Sequence, residues 1–248
     1  MQIIGHRGAA GIEPENTIPS FQKAIDLGVS RVECDIHLTA DGHLAIIHDE
    51  TVDRTTNGSG RVSSYSLSEL RELDAGNANS VPTLDEVLQL VSDGGIGVHI
   101  ELKGEGTESR VLDALGGYRN TVDIILTSFD AAKLQAVRAL DSSIRLEHLF
   151  YEPGEDALDR AQGVGADGMS VHHQFLTREL VEKAHALRLI VVTWTVNDLD
   201  GFHRVSKTGV DFVCTDRPDI MLHALYSLRV KTPPHPRTLW VRALSPSG

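Results

Sequence analysis

Residues 31–38 of the chain read Arg-Val-Glu-Cys-Asp-Ile-His-Leu and are bounded by polar turns. The β-branched and apolar content of this segment favours a strand, in which residues two apart share a face. Glu33 and Asp35 therefore point the same way, and the apolar residues between them point the other way. Two carboxylates so close together repel each other unless a proton or a cation lies between them. Taken alone, the pair fits a solvated strand face as well as it fits a cation site.

A second segment of this kind spans residues 97–103 and reads Gly-Val-His-Ile-Glu-Leu-Lys. Its ionisable side chains share one face, which makes a poor core and a good site. Glu101 would complete a cradle of carboxylates with Glu33 and Asp35, and hard cations such as Mg²⁺ or Ca²⁺ prefer such oxygen ligands. Lys103 could pair with a ligating carboxylate or contact a substrate phosphate; the alternative is a surface lysine at a strand end.

Strand-like and helix-like segments alternate along the whole chain. The strand-like segments are 2–5, 32–38, 97–102, 124–127, 144–150, 168–171, 190–194 and 212–214. The helix-like segments include 19–27, 83–91, 131–140, 158–163, 177–187 and 198–207. This alternation predicts parallel strands joined by right-handed crossovers. Eight strands in 248 residues predict an α/β fold, a (β/α)8 TIM barrel.

The predicted barrel brings the polar residues to one rim. They fall near the C-terminal ends of different strands: His6, Glu33, Asp35, Glu101, Lys103, Ser128 and Trp194. Barrel enzymes build their active sites on that rim. His48 follows a predicted hairpin whose turn is Asp41-Gly42, and the hairpin would fold it back over the barrel mouth.

Two segments depart from the β/α alternation. Residues 50–80 are rich in turn formers, with a short helix-like stretch at 67–73, and look too small and polar to hold their own core, so we expect an insertion near the C-terminal face. It would either form one wall of the active-site cleft or be a passive surface loop. Residues 231–248 are rich in proline and predict an extended tail beyond a barrel domain at residues 1–230.

The first fifth of the chain holds the groups that a metal-assisted reaction on a phosphate ester needs. His6 and His48 could move protons, Arg7 could bind an anion, and the carboxylates could hold a hard cation. The order and spacing of several motifs extend this signal. They are His-Arg-Gly at 6–8, Pro-Glu-Asn-Thr at 14–17, Glu-x-Asp at 33–35, Thr-x-Asp-Gly at 39–42, His-Asp at 48–49, Asp-Arg-Thr-Thr-Asn-Gly at 53–58, Val-Pro-Thr-Leu at 81–84, Glu-Leu-Lys at 101–103, Ser-Phe at 128–129, Trp-Thr-Val-Asn at 194–197 and Thr-Asp-Arg-Pro at 215–218.

With these motifs the chain resembles the glycerophosphodiester phosphodiesterase family over roughly residues 2–225. The resemblance implies that the two histidines, His6 and His48, act as acid and base. It favours His6 as the base without fixing the assignment. It also implies one divalent cation, Mg²⁺ or Ca²⁺ with Mn²⁺ as a further candidate, held by Glu33, Asp35 and Glu101.

Four further residues take supporting roles in this prediction. The resemblance assigns Arg7 and Lys103 to the substrate phosphate, and we expect Glu15 and Asn16 to orient Arg7 and its loop. Trp194 could stack against the glycerol or headgroup, although packing at the barrel mouth explains it equally well.

The implied reaction is hydrolysis of a glycerophosphodiester to an alcohol and sn-glycerol 3-phosphate, with water or the 2-hydroxyl of the glycerol as the attacking group. One alternative is a lysophospholipase D-type phosphodiesterase on the same barrel, against which the polar 50–80 segment argues. The other is a non-catalytic binding barrel. Such a barrel would be expected to lack at least one of five side chains, and all five are present: His6, His48, Glu33, Asp35 and Glu101.

Composition limits the partners and the location. The net charge of −12 argues against nucleic acid and makes a bound cation necessary for an anionic substrate. Cys34 would lie on the second predicted strand and Cys214 on the eighth, with the first strand between them, which predicts no disulfide and suits a reducing compartment. Residues 1–5 run directly into the first strand and no apolar run approaches a membrane span. These features predict a cytoplasmic protein acting on a small molecule, and they leave its oligomeric state open.

Overall fold

The computed structural model describes residues 1–231, so the predicted tail lies outside the described residues from 232 onward. The strands are β1 (Gln2–Gly5), β2 (Arg31–Leu38), β3 (Leu44–Ile46), β4 (Gly97–Leu102), β5 (Ile124–Ser128), β6 (Arg145–Phe150), β7 (Gly168–His172), β8 (Ile190–Trp194) and β9 (Phe212–Thr215). The helices are α1 (Ile18–Leu27), α2 (Leu67–Arg71), α3 (Leu84–Gly94), α4 (Thr107–Ala114), α5 (Ala131–Leu140), α6 (Ala157–Gly163), α7 (Arg178–Ala186), α8 (Leu199–Val205) and α9 (Pro218–Lys231).

Eight parallel strands of the described chain close into the predicted TIM barrel. The strand order is β1-β9-β8-β7-β6-β5-β4-β2, and a pairing between β1 and β2 completes the circle. β3 pairs antiparallel with the upper end of β2, as the Asp41-Gly42 turn predicts. In register, Asp35 of β2 lies beside Glu101 of β4, so residues from two strands meet at one level of the barrel.

The two faces of each strand have different environments. Val32, Cys34 and Ile36 of β2 belong to the main apolar core between the barrel and its helices. The barrel interior instead contains a small apolar cluster that includes Ile4 and Cys214. The two cysteines are therefore free and lie in different layers, which confirms that they form no disulfide.

Several helices, α1 and α3 among them, begin at a residue whose side chain caps the first turn. Thr17 accepts a hydrogen bond from Ser20 N at the start of α1, and Thr83 with Glu86 forms a capping box at the start of α3. Two helices were absent from the sequence-based prediction, α4 and α9. α4 is a weak signal because it has no side-chain cap and buries only Thr107 and Val111.

The insertion differs from its prediction in one respect. Residues 50–80 do contribute to a small apolar core, because Val52, Val62 and Leu70 pack with Ala45 and Ile47 from the hairpin. The sequence does not predict this core because its apolar residues are spread over turns, a 3₁₀ turn and the short helix α2. The insertion is thus built onto β3 and lies beside the barrel mouth.

Among residues 1–231, no helix combines the length and the apolar character that crossing a bilayer requires. The cytoplasmic location stays a prediction.

Candidate active site

A cavity of about 120 Å³ opens at the C-terminal mouth of the barrel. Its lining includes seven of the predicted site residues: His6, Arg7, Glu33, His48, Glu101, Lys103 and Trp194. The other three lie next to this lining: Glu15 and Asp35 contact Arg7, and Asn16 donates a hydrogen bond to Asp35. A wider groove of about 600 Å³ adjoins the cavity at His48 and Lys103 and runs along the insertion past Glu50, Arg61 and Ser63.

β2 and β4 bring three carboxylates together in this cavity. One oxygen each of Glu33, Asp35 and Glu101 lie within 4.8 Å of one another. Asp35 is 1 % exposed, and within the described residues its Oδ1 atom has no hydrogen-bond partner. An all-oxygen donor set that includes a buried oxygen without a hydrogen bond, 3.9 Å from Lys103 Nζ, fits a hard divalent cation. The residues present are therefore suited to the cation that the sequence predicts.

These carboxylates are buried and close together, which disfavours their ionised forms. Burial, reinforced by the charge of Asp35, raises the pKa of Glu33 to about 8 and the pKa of Glu101 to about 7. A bound divalent cation would supply the opposite charge and favour the ionised forms.

Two cations of the chain border the carboxylate cluster. The Arg7 guanidinium lies 2.7 Å from Glu15 and 3.4 Å from Asp35, and Lys103 Nζ lies 3.0 Å from Glu101. Asn16 donates from Nδ2 to Asp35 at 2.9 Å, so it fixes a carboxylate of the cluster as well as the Arg7 loop. Both positive side chains face the cavity where a phosphate would meet the carboxylate cluster.

His6 is held by a carboxylate from the last barrel strand's loop. His6 Nδ1 donates to Asp216 Oδ1 at 2.6 Å, and Asn197 Nδ2 donates to the other oxygen of Asp216. Burial lowers the pKa of His6, but the hydrogen bond to Asp216 and the charge of Glu33 outweigh it, so that pKa is raised. Because Nδ1 is occupied, Nε2 is the nitrogen that can exchange a proton with a ligand.

His48 has an equivalent partner. Its Nδ1 donates to Asp49 Oδ1 at 2.6 Å, and Arg54 of the insertion donates to both oxygens of Asp49. Arg54 also donates to both oxygens of Glu15, which ties the insertion to the loop after β1. His37 Nε2 donates to the His48 carbonyl at 3.1 Å. Burial lowers the pKa of His48 below its usual value.

Asp49, Arg54 and Asp216 have no role in the sequence-based prediction, yet they hold both histidines. The signal for Asp49 was present, because a carboxylate directly follows His48. Asp216 directly follows β9, the strand that pairs with β1. A carboxylate at that strand end is therefore a natural partner for His6 at the adjacent strand end.

The opposite side of the cavity is aromatic. Trp194 ends β8 and Phe129 follows β5, and their rings meet edge to face with centroids 5.5 Å apart. Tyr151 stacks on His172 at 4.5 Å and lies 6.1 Å from Trp194. Trp194 thus lines the cavity and packs against other rings, and ligand binding by its ring stays a prediction.

Comparison with known proteins agrees with this geometry. A model of the glycerophosphoryl diester phosphodiesterase family matches residues 6–220. The chain is 35 % identical over 239 residues to a glycerophosphodiester phosphodiesterase of Caldanaerobacter subterraneus subsp. tengcongensis, covering 89 % of this chain and 96 % of that protein. It is 32 % identical over 233 residues to a glycerophosphodiester phosphodiesterase of Bacillus altitudinis, covering 88 % and 95 %.

Solved structures show the same likeness. A phosphodiesterase of Oleispira antarctica, solved in complex with the product sn-glycerol-3-phosphate, superposes with a TM-score of 0.87 at 29 % identity and covers 91 % of this chain and 97 % of its own. A glycerophosphodiester phosphodiesterase of Agrobacterium tumefaciens gives a TM-score of 0.80 at 28 % identity, covering 90 % and 99 %.

Proposed function

The chain belongs to the glycerophosphoryl diester phosphodiesterase family, and we propose that it hydrolyses glycerophosphodiesters to an alcohol and sn-glycerol 3-phosphate with a histidine pair and a divalent cation. The observation that carries this proposal is the pairing of each cavity histidine with its own carboxylate, His6 with Asp216 and His48 with Asp49, beside the three-carboxylate cluster. A purely structural rim has no need of two such pairs around one cavity.

Glu33, Asp35 and Glu101 would hold the cation. When bound, it supplies positive charge that polarises a phosphoryl oxygen and stabilises the charge that develops there. Arg7 and Lys103 add positive charge from the chain itself on two sides of the same cluster. Their carboxylate partners keep both side chains oriented, so a substrate phosphate meets donors that are already in place.

The histidines exchange protons through Nε2. One of them accepts the proton of the attacking hydroxyl, and the other donates a proton to the oxygen of the leaving alcohol. Asp216 and Asp49 fix the ring orientation and stabilise the imidazolium that forms on the accepting residue. Arg54 and Asn197 hold these two carboxylates in turn.

The test is release of glycerol 3-phosphate from glycerophosphocholine and glycerophosphoethanolamine by chelator-treated protein, with Mg²⁺, Ca²⁺ or Mn²⁺ restored separately. We expect a cation to restore release in the wild type and not in Glu33→Gln. His6→Ala and His48→Ala should each lower the rate by roughly 10²- to 10⁴-fold with cation present.

Glu182→Gln, an exposed glutamate on the outer helix α7, is the matched control and should behave as wild type. Equal release with and without cation would exclude the proposed role of the carboxylate cluster. Near-full turnover in both histidine variants would exclude the histidine mechanism. Lysophosphatidylcholine is the comparison substrate, and faster release of its choline than of glycerol 3-phosphate from the glycerophosphodiesters would establish the lysophospholipase D-type alternative.

A further inference from the structure

Each of four consecutive barrel strands, β5 to β8, either ends in an aromatic or imidazole ring or is followed directly by one. Phe129 follows β5, Tyr151 follows β6, His172 ends β7 and Trp194 ends β8. The rings contact one another in sequence, with centroid distances of 4.5 Å for Tyr151–His172, 5.2 Å for His172–Trp194 and 5.5 Å for Trp194–Phe129. They form a continuous aromatic wall, and Phe129 and Trp194 line the active-site cavity.

This aromatic wall is unusual because part of it faces solvent. Phe129 is 42 % exposed and Tyr151 is 55 % exposed, whereas packing residues of this size are ordinarily covered. Phe129 lines the cavity and Tyr151 lies beside Trp194, which lines it, so both exposed rings are available to a ligand that extends out of the cavity. They stand opposite the half of the mouth where Arg7, Lys103 and the carboxylates would hold the phosphate, so the wall is placed to meet an alcohol arm of the diester.

The charge around the wall favours a cation. The loop after Tyr151 carries three exposed acidic residues, Glu152, Glu155 and Asp156. The Gln174 backbone N–H donates to His172 Nδ1 at 3.4 Å, so this ring is a neutral hydrogen-bond acceptor. Two arginines on this side are engaged elsewhere: Arg160 lies over the Phe150 ring at 5.2 Å, and Arg204 donates to His173 Nδ1 at 2.7 Å.

We propose that the aromatic wall is a subsite for a quaternary ammonium group, so that the protein prefers diesters whose leaving alcohol is choline-like. Aromatic faces attract such a cation through their quadrupole, and the acidic loop adds a long-range attraction. This inference rests on the proposed phosphodiesterase function, because it concerns the alcohol arm of that substrate.

The experiment compares kcat/KM for glycerophosphocholine with kcat/KM for the ester of 3,3-dimethylbutanol, a neutral isostere in which carbon replaces the ammonium nitrogen. Shape and apolar area are matched, and the better leaving-group ability of choline is the same in every variant, so the change in this ratio between wild type and a wall variant isolates the contact with the charge. We expect wild type to prefer the choline ester by about 3- to 30-fold. Tyr151→Ala and Phe129→Ala should each bring the ratio closer to one, and Tyr151→Phe should keep it.

Tyr226→Ala is the matched control, since Tyr226 is an exposed tyrosine of α9 outside the wall, and it should leave the ratio at the wild-type value. A wild-type ratio near one overturns the subsite, and so does a wild-type ratio retained by both Tyr151→Ala and Phe129→Ala. Hydrolysis of both esters at equal rates would leave the phosphodiesterase function intact and remove only this inference. Hydrolysis of neither ester would instead refute the function itself.

Discussion

At the scale of single residues, the hydrogen bond made by Nδ1 of each cavity histidine fixes whether Nε2 carries a proton. Asp216 and Asp49 accept from Nδ1 of His6 and His48, which leaves Nε2 in each ring for the proposed proton transfer. An asparagine in either place could donate its amide N–H to Nδ1 and so move the ring proton to Nε2, which is the wrong tautomer for a base.

We therefore predict that Asp216→Asn and Asp49→Asn each lower kcat by about 10- to 10³-fold while KM changes far less. Steady-state hydrolysis of glycerophosphocholine measures both constants. Asp159→Asn, at an exposed position of α6, is the control and should match wild type. Wild-type kcat in both variants would show that the carboxylates are dispensable for proton transfer.

Gly8 is a second residue whose identity is dictated locally. Its φ is +87°, and a Cβ atom there would lie 2.5 Å from the backbone carbon and from the Oγ atom of Ser20. Left-handed backbone strain and the clash act together, so Gly8→Ala should lower the free energy of unfolding by about 2–4 kcal/mol.

Gly163→Ala is the matched control for Gly8→Ala, because Gly163 closes helix α6 and a Cβ atom there meets nothing within 4 Å. It should leave stability unchanged or raise it by up to about 1 kcal/mol. Chemical unfolding of the two variants and the wild type separates the cases. Equal stability of Gly8→Ala and wild type would mean that the loop relaxes around the added methyl group.

How far the site could be predicted depends on the distance along the chain between its members. Glu33 and Asp35 follow from a strand's period of two, and Asp49 is adjacent to His48. The His6–Asp216 bond joins residues 210 positions apart, and only the closure of the barrel by β9 brings them together. Arg54 belongs to the 53–58 motif of the resemblance, but its contacts could not be predicted, because no periodic pattern places an insertion arginine over a loop.

At the scale of elements, Arg54 fastens the insertion to the β1–α1 loop. It donates to Glu15 and Asp49 at once, and Glu15 also accepts from Arg7. Burial would raise the pKa of Glu15, but the hydrogen bonds from Arg54 and the charge of Arg7 outweigh it and lower that pKa to about 2. Ionised Glu15 thus stabilises the folded state.

Because the pKa of Glu15 is depressed on folding, its contribution is complete above its unfolded pKa near 4.5 and is lost as the pH falls towards 2. We predict that Glu15→Gln loses about 1–2 kcal/mol of stability at pH 7 and that this difference shrinks progressively below about pH 4.5. Urea unfolding of both proteins from pH 7 to pH 3 measures it. Glu182→Gln should differ little from wild type at any pH, and a Glu15→Gln deficit independent of pH would contradict the ion-pair explanation.

The elements themselves were predicted unevenly, for a physical reason. The barrel strands are continuous apolar or alternating runs, and all eight were located from the sequence. α4 was missed because its exposed face is polar and its buried face holds two residues. The core of the insertion was missed because its apolar residues come from several short elements that fold only against the β3 hairpin.

At the scale of the whole molecule, the barrel mouth is divided between two chemistries. Strands β1, β2 and β4 deliver charged residues, and strands β5 to β8 deliver the aromatic wall. Strand closure places both on one cavity, so a phosphodiester can be held by its phosphate on one side and by an alcohol arm on the other. Under the two proposals above, the fold would thus separate the part that performs the reaction from the part that selects the substrate.

The charged side of the barrel mouth concentrates negative charge at a buried position, where water solvates it poorly. Glu33, Asp35 and Glu101 are held together at the mouth, and without a cation their repulsion and burial oppose the folded state. Replacing one of them by its neutral isostere should therefore stabilise the cation-free protein while removing a ligand for the cation.

We predict that in chelator the unfolding midpoint of Glu33→Gln lies about 2–6 °C above that of wild type. Added Mg²⁺ or Ca²⁺ should reverse this order, because a cation at 100 times its Kd stabilises the wild type by about 2.7 kcal/mol and the variant far less. Scanning calorimetry of both proteins with and without cation gives the four midpoints, and Glu182→Gln should follow the wild type in each. The inversion is the decisive feature, since a merely stabilising substitution would keep Glu33→Gln above wild type in both conditions. An equal shift of both proteins on adding the cation would place its binding site away from the carboxylate cluster.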